Sequence, residues 1–186
     1  MPRLFTAIEV PKTVASHLSL LRGGLIGARW IDAENYHITL RFIGDVDMVV
    51  AEEAAAGLAR IHRPEFTLRF TGIAPLGTRK QHSIVATVEE SRPLMELQAE
   101  QERIFQRIGI APEARRYTPH VTLARLRGRH PYDIAEYLSV RGGFLADSFP
   151  VERFVLYSSR DSVGGGPYVV EEAYDLVPAV AERRRA

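Results

Sequence analysis

Two copies of a His-x-Thr-Leu motif contain the residues of this sequence best suited to chemistry, His37 with Thr39 and His120 with Thr122. Successive side chains of a β-strand point to opposite faces, so within each copy the imidazole and the hydroxyl share one face. Two imidazoles that meet across a cleft would suit phosphodiester chemistry. A neutral ring can accept a proton from the attacking oxygen while a protonated ring donates one to the departing oxygen. An unperturbed histidine pKa of about 6.5 allows both forms near neutral pH.

A single His-x-Thr is a weak signal, since threonine is common in strands and histidine is often a surface residue. Two copies at equivalent points of a repeat are a stronger signal, and each copy also has an arginine within five residues, Arg41 or Arg125. A metal site formed by both histidines and a carboxylate is the main alternative. Neither motif strand carries an acidic residue on its histidine face, so no metal and no other cofactor is expected. The other histidines receive no role: His17, His62, His82 and His130.

Strands and helices alternate along the chain, and their order repeats. Helices are predicted over residues 12–26, 48–62, 93–109 and 131–140. Strands are predicted over residues 3–10, 28–32, 36–43, 66–73, 82–90, 117–126, 149–160 and 167–176. Flexible loops are expected at 74–81 and at the glycine-rich segment 161–167. If the adjacent extended segments 28–32 and 36–43 count as one strand, the order strand, helix, strand, helix, strand occurs twice, with one strand left over.

The repeat predicts a duplicated α+β fold in which each half supplies one motif. We expect approximate repeat units over residues 3–73 and 82–160 within a single bilobal domain, 1–186. The alternating strands favour antiparallel or mixed sheets with one wet face. If the halves are related by a pseudo-twofold axis, the two sheets would face a central cleft with the helices outside. The histidine faces would then meet in that cleft.

Composition limits the protein to an ordinary globular class. The chain has 186 residues, of which 46% are apolar and 25% charged, and its formal net charge is +1. This net charge argues against a nucleic-acid-binding protein that is basic throughout. A local basic patch is still possible, since the stretch from Arg115 to Arg129 has five arginines and no acidic residue. There are no cysteines, which excludes a thiol nucleophile and a disulfide scaffold. No targeting segment or membrane-length apolar run is visible, so we expect a cytoplasmic protein without membrane contact.

The sequence resembles the two-histidine phosphoesterase superfamily, and within it the RNA 2′,3′-cyclic phosphodiesterases, also called 2′-5′ RNA ligases. The resemblance spans nearly the whole chain. Its most specific parts are RWIDAENYHITLRFIGDV and RRYTPHVTLARL, around the two motifs, with RLFTAIEVP near the start and ERFVLYSSR late in the chain. It implies a bilobal α+β fold with a central cleft. It also implies hydrolysis of an RNA terminal 2′,3′-cyclic phosphate to a 2′-phosphate.

The same resemblance implies roles for individual residues. His37 would be the proton donor and His120 the proton acceptor, while Thr39 and Thr122 would bind the phosphate. The spacing of the motifs is symmetric and does not distinguish donor from acceptor. Arg125 matches a basic residue that the family keeps after its second motif, which makes it a further phosphate ligand. Strand parity alone would turn Arg125 inward, so a bulge or a strand end near Ala124 is needed to bring it into the cleft.

Three further residues are candidates for the cleft. Arg41 has the parity of His37, but it could instead be a salt-bridged residue of the sheet. Phe5 and Tyr157 could stack on a nucleobase, although core packing is the alternative for Phe5. The family often carries an aromatic residue in the strand that reads HSIVATV here, so base preference could differ in this chain.

Three functions follow, all with RNA ends or small cyclic nucleotides as ligands and with no protein partner evident. The first is metal-independent hydrolysis of the cyclic phosphate by the histidine pair. The second is 2′-5′ ligation of RNA at the same site, since ligation is the reverse of cleaving such a bond. The third is a non-catalytic module that binds RNA ends, with the basic stretch following the RNA backbone. A monomer is expected.

Overall fold

The computed structural model describes residues 3–77, 83–126, 131–159 and 167–178. Its helices are α1 (Lys12–Ser19), α2 (Met48–Leu58), α3 (Arg92–Arg107) and α4 (Pro131–Arg141), with a short 3-10 turn at Ala33–Asn35. Its strands are β1 (Arg3–Glu9), β2 (Ala28–Trp30), β3 (His37–Asp45), β4 (Phe66–Leu68), β5 (Phe70–Leu76), β6 (Ser83–Val88), β7 (His120–Leu126), β8 (Phe149–Val151), β9 (Arg153–Ser159) and β10 (Tyr168–Asp175).

Eight of these strands form one antiparallel sheet in the order β10-β9-β1-β3-β7-β6-β5, and β2 pairs with β7 beside that path. A second sheet contains only β4 and β8. The two halves of the large sheet meet where β3 pairs with β7, through the single registered pair Ile38 and Val121. The two halves are thus continuous across this junction.

The strand order is symmetric about that junction, which confirms the duplicated α+β fold. Strand β1 corresponds to β6, β3 to β7 and β5 to β9. The last strand of each half pairs with the first strand of the other: β5 with β6, and β9 with β1. Strands β4 and β8 likewise pair with each other across the same axis. The halves are interlocked, because neither completes its own sheet alone.

The core lies between the large sheet and the helices. Helix α3 buries four residues spaced three or four apart, which is the stripe of a helix with one apolar face. They are Leu94, Leu97, Gln101 and Phe105. Helix α2 begins at the cap residue Asp47, whose side chain accepts a hydrogen bond from the Val50 amide at 2.9 Å. A Cβ added at Gly57 would lie 2.6 Å from the Ile104 side chain, so this glycine lets α2 approach α3 closely.

Two predicted strands are each divided in the structure, because their two parts pair with different partners. The segment predicted over 66–73 forms β4, which pairs with β8, and β5, which pairs with β6. The segment predicted over 149–160 forms β8 and β9 in the same way. Of the expected loops, residues 74–76 belong to β5, whereas 78–81 and 161–166 lie outside the described residues.

The first predicted helix is also shorter than its apolar stripe. Helix α1 ends at Ser19, although Leu21 and Leu25 from the same stripe are still buried. After it the chain continues in tight turns, with Gly23 and Gly24 at φ values of 94° and 73°. Left-handed backbone of this kind cannot continue a helix, and it strongly favours glycine.

Candidate active site

His37 and His120 are the first residues of β3 and β7, and both rings are held in the same way. The Nδ1 atom of His37 lies 2.8 Å from the carbonyl oxygen of Asn35, and the Nδ1 atom of His120 lies 2.7 Å from that of Thr118. A carbonyl oxygen can only accept, so each Nδ1 carries a hydrogen and donates it. In the neutral rings the Nε2 lone pair therefore remains available for proton transfer.

The strand pairing places the two histidines at the junction of the halves. Ile38 and Val121, the registered pair between β3 and β7, each directly follow a motif histidine. Opposed residues of an antiparallel pair have Cα atoms about 4.5–5.5 Å apart, so the two motifs are neighbours. Along both strands the histidine and the threonine are half-buried while the intervening residues are fully buried. The period of two therefore places Thr39 with His37, and Thr122 with His120, as predicted.

A β-bulge turns Arg125 toward the histidine face. Strand β6 pairs Val85 with Thr122 and Ile84 with Ala124, which leaves Leu123 without a partner. One extra residue reverses the parity of the strand beyond it. Leu123 and Ala124 are consequently both buried, and Arg125 is exposed on the same face as His120. This is the bulge that a cleft position for Arg125 requires.

A bulge at the matching position of β3 has the opposite effect on Arg41. Strand β1 pairs Ala7 with Thr39 and Thr6 with Arg41, so Leu40 is the extra residue. Arg41 is buried, forms an ion pair with Glu102 of α3, and donates to the backbone carbonyl of Ala111. The structure thus places Arg41 on the helix side of the sheet. The cleft position that simple parity predicts for it is wrong, and the salt-bridged alternative holds.

The same bulge brings Phe42 to the histidine face, where it is 54% exposed. Phe42 is five residues after His37, as Arg125 is five residues after His120, and the two are equivalent in the duplicated fold. Sequence parity did not identify Phe42 as a cleft residue. The repeat could have identified Phe42. If a bulge after the second motif brings Arg125 to the histidine face, a bulge at the same position after the first motif brings Phe42 there.

Aromatic rings surround His37. Its ring centroid lies 5.2 Å from that of Phe5, 5.9 Å from that of Tyr157 and 5.0 Å from that of Tyr168. Phe5 also contacts Phe42 at 5.5 Å. Phe5 is 2% exposed and packs beneath the other rings, whereas Tyr157 is half-buried. Tyr168 belongs to the strand left over from the repeat, so the motif spacing does not predict its place beside His37.

Burial changes the protonation of both motif histidines. It lowers the pKa of His37 to about 4, and the positive charges of His120 and Arg125 act in the same direction. Burial also lowers the pKa of His120, against the opposing effect of its hydrogen bond to Thr118. Both rings are therefore neutral at pH 7 in the unbound protein. The pKa values of both histidines thus lie below the unperturbed value of about 6.5.

Burial also keeps the neighbouring phenol neutral, since it raises the pKa of Tyr157 to about 12. Within the described residues, no group of three or more histidine and carboxylate side chains is placed to hold a metal ion. No helix in the described part of the chain is long and apolar enough to cross a membrane. The histidine face of the motif strands carries imidazole rings, which can transfer protons, and hydroxyl and guanidinium groups, which can donate hydrogen bonds.

Comparison with known proteins identifies one group of relatives. The family model for LigT like Phosphoesterase matches residues 8–86 and again residues 85–168, once in each half. An RNA 2′,3′-cyclic phosphodiesterase of Thermotoga maritima is 31% identical over 176 residues, covering 90% of this chain and 92% of that protein. One of Aeropyrum pernix is 38% identical over 100 residues, which are 53% of this chain and 57% of that protein. Escherichia coli LigT complexed with 3′-AMP has a TM-score of 0.76 at 26% identity, covering 95% of this chain and 99% of that one.

Proposed function

Because this chain belongs to the LigT-like phosphoesterase family, we propose that it is an RNA 2′,3′-cyclic phosphodiesterase, which converts a terminal cyclic phosphate to a 2′-phosphate. The observation that carries the proposal is the matched pair of histidines at the junction of the halves, each with Nδ1 tied to a backbone carbonyl. Relatives with this activity in their names match most of the chain, including both motifs.

In the proposed reaction His120 accepts a proton from water through Nε2, and the water oxygen forms a bond to phosphorus. The bond from phosphorus to the 3′-oxygen breaks, and His37 donates a proton to that oxygen. The hydroxyls of Thr39 and Thr122 donate hydrogen bonds to the non-bridging oxygens, where negative charge increases in the transition state. The Arg125 guanidinium neutralises part of that charge. The assignment of donor and acceptor follows the family.

Substrate binding supplies the protonated donor that the free protein lacks. Burial, together with the positive charge of Arg125, disfavours protonation of His37 in the empty cleft. A phosphodiester anion between these groups has the opposite sign, so it raises the pKa of His37 when it binds. Substrate binding thus favours the protonated form of His37 that the reaction needs.

The free enzyme should consequently be most efficient below pH 6.5. The mechanism needs one ring protonated and one neutral, and both histidine pKa values are shifted downward. The kcat/KM value reports the free enzyme, so we expect it to peak below pH 6.5 and to fall about ten-fold per pH unit above pH 7. Initial rates at low substrate from pH 4 to 8.5, corrected for a blank without enzyme, test this. A kcat/KM that is constant between pH 7 and 8 would contradict it.

The activity itself is tested with an oligonucleotide that ends in a 2′,3′-cyclic phosphate. We expect hydrolysis to a 2′-phosphate, unchanged by EDTA, with the product isomer assigned by ³¹P NMR. Loss of activity in chelator, or tight binding without turnover, would overturn the proposal, and the latter would favour an RNA-end binding module. Adding a second strand with a free 5′-hydroxyl compares hydrolysed with ligated product, and an excess of 2′-5′ ligated product would favour the ligase.

We further propose that the protein acts as a monomer in the cytoplasm, on RNA ends or on small cyclic nucleotides. The motif residues and the rings around His37 all come from one chain, so the described site needs no second copy. Light scattering during size-exclusion chromatography would test the monomer.

A further inference from the structure

A second arginine lies beside Arg125, on a strand to which the proposed mechanism assigns no role. Strand β2 pairs with β7 in the register Arg29 with Arg125 and Trp30 with Ala124. Directly opposed residues of an antiparallel pair have their side chains on the same face. Ala124 is fully buried, and Trp30 packs against Tyr137 of α4 with ring centroids 5.9 Å apart. Arg29 must therefore lie on the other face, which is the face of Arg125 and the motif histidines.

Arg29 and Arg125 are both exposed, and Ser83 of β6 lies opposite Arg125 on its other side. None of the ion pairs found among the described residues includes Arg125. Three hydrogen-bond donors thus form a row across β2, β7 and β6. Guanidinium groups bind phosphate oxygens through charge-assisted hydrogen bonds, so such a row suits a phosphate group.

The halves differ in chemistry at these equivalent positions. Phe42 is the counterpart of Arg125, and Phe5, which is paired with Phe42, is the counterpart of Ser83. One side of the cleft therefore presents aromatic rings, and the other presents guanidinium groups. A nucleic acid strand has both features, since it carries flat bases along a charged backbone.

Arg29 lies one strand away from Arg125, about 4.8 Å between strands, on the edge of β7 that also pairs with β3. Arg125 is the phosphate ligand of the proposed mechanism, and the bulge in β7 places it on the face of the motif histidines. A cyclic phosphate occupies both the 2′- and the 3′-oxygen of its ribose, so the RNA chain can continue only from the 5′-oxygen. The next phosphate available to Arg29 is accordingly the phosphodiester on the 5′ side of the terminal nucleoside.

We propose that Arg29 and Arg125 form a second anion site that binds this 5′ phosphodiester, so that the cleft favours an oligonucleotide end over a cyclic mononucleotide. The inference rests on the proposed function and names the substrate class within it. Arg29 is a binding residue in this account and takes no part in proton transfer. Its contribution should appear in KM for longer substrates and in the dependence of KM on salt.

The test compares Arg29→Gln with wild type on uridine 2′,3′-cyclic phosphate and on a trinucleotide with the same cyclic end. We expect KM for the trinucleotide to rise about three- to ten-fold with kcat nearly unchanged, and both constants for the mononucleotide to stay at wild-type values. The slope of log KM against log salt for the trinucleotide should become shallower by about 0.7, the value for one phosphate contact on a single strand. Arg29→Lys should retain most of the wild-type salt slope, because lysine keeps the positive charge.

Arg103→Gln is the matched control, since Arg103 is an exposed arginine of α3 on the helix side of the sheet. It should behave as wild type with both substrates. Equal effects of Arg29→Gln on the two substrates, or no effect on either, would overturn the inference. Wild-type protein that hydrolyses neither substrate would overturn the proposed function instead. The inference would then be judged by trinucleotide binding, where equal salt slopes for wild type and Arg29→Gln would overturn it.

Discussion

Replacing either His37 or His120 with alanine is expected to lower kcat for cyclic-phosphate hydrolysis by about 10²–10⁴-fold, the usual contribution of a positioned general acid or base. Each ring is oriented by its bond from Nδ1 to a backbone carbonyl, so a side chain that lacks the ring cannot bring a proton to the same point. Single-turnover rates at saturating substrate measure the loss in the chemical step without a contribution from product release.

The double variant should lose little more activity than either single variant, because two groups that act in one proton-transfer sequence are not additive. His62→Ala is the matched control, since His62 is an exposed histidine beyond the end of α2, and this variant should keep wild-type activity. Either motif variant retaining activity within ten-fold of wild type would contradict a catalytic histidine pair.

Arg125→Gln should lower kcat/KM by about 10–10³-fold, because it removes a positive charge from the place where negative charge develops on phosphorus oxygens. The substitution should also alter the pH profile. Burial is the main cause of the low pKa of His37 and the charge of Arg125 lowers it further, so removal of that charge raises the pKa and moves the alkaline limb of kcat/KM to higher pH. Steady-state rates across the same pH range measure both effects.

Arg125→Lys should fall between wild type and Arg125→Gln, since lysine keeps the charge but loses the planar guanidinium. Arg107→Gln, at an exposed position near the end of α3, controls for the change in net charge. A kcat/KM for Arg125→Gln within two-fold of wild type would show that the bulged end of β7 does not contact the substrate.

The faces of the motif strands were predictable from sequence because they depend only on the period of two. Ile38 and Val121 are buried, and the histidine and threonine of each motif share the other face, as that period requires. The repeat was also visible, because it appears in the motif, in the order of elements and in their spacing. These signals together were sufficient for the duplicated α+β fold.

The positions beyond the bulges were not predictable in the same way. After the first motif, parity alone assigns Arg41 to the cleft and Phe42 to the core, and the extra residue at Leu40 reverses both. No local feature of Leu40 marks a bulge. The bulge in β7 could be stated as a requirement only because the family resemblance expected Arg125 in the cleft.

Long-range pairing and burial account for the remaining differences. The breaks that separate β4 from β5 and β8 from β9 exist because each segment exchanges partners between the halves, which no local pattern records. The low pKa of His37 results from burial beneath rings contributed by β1, β9 and β10, among them Tyr168. Those strands are adjacent to the first motif in space and distant from it in sequence.

One phosphate is expected to lie between the two imidazoles, and a crystal structure with a nucleoside 2′-phosphate bound would show its position. The Nε2 atoms of His37 and His120 should each lie within about 3.2 Å of an oxygen of the same phosphate, on opposite sides of it. A phosphate bound by only one of the two rings, or bound away from both, would show that the histidines do not act as a pair.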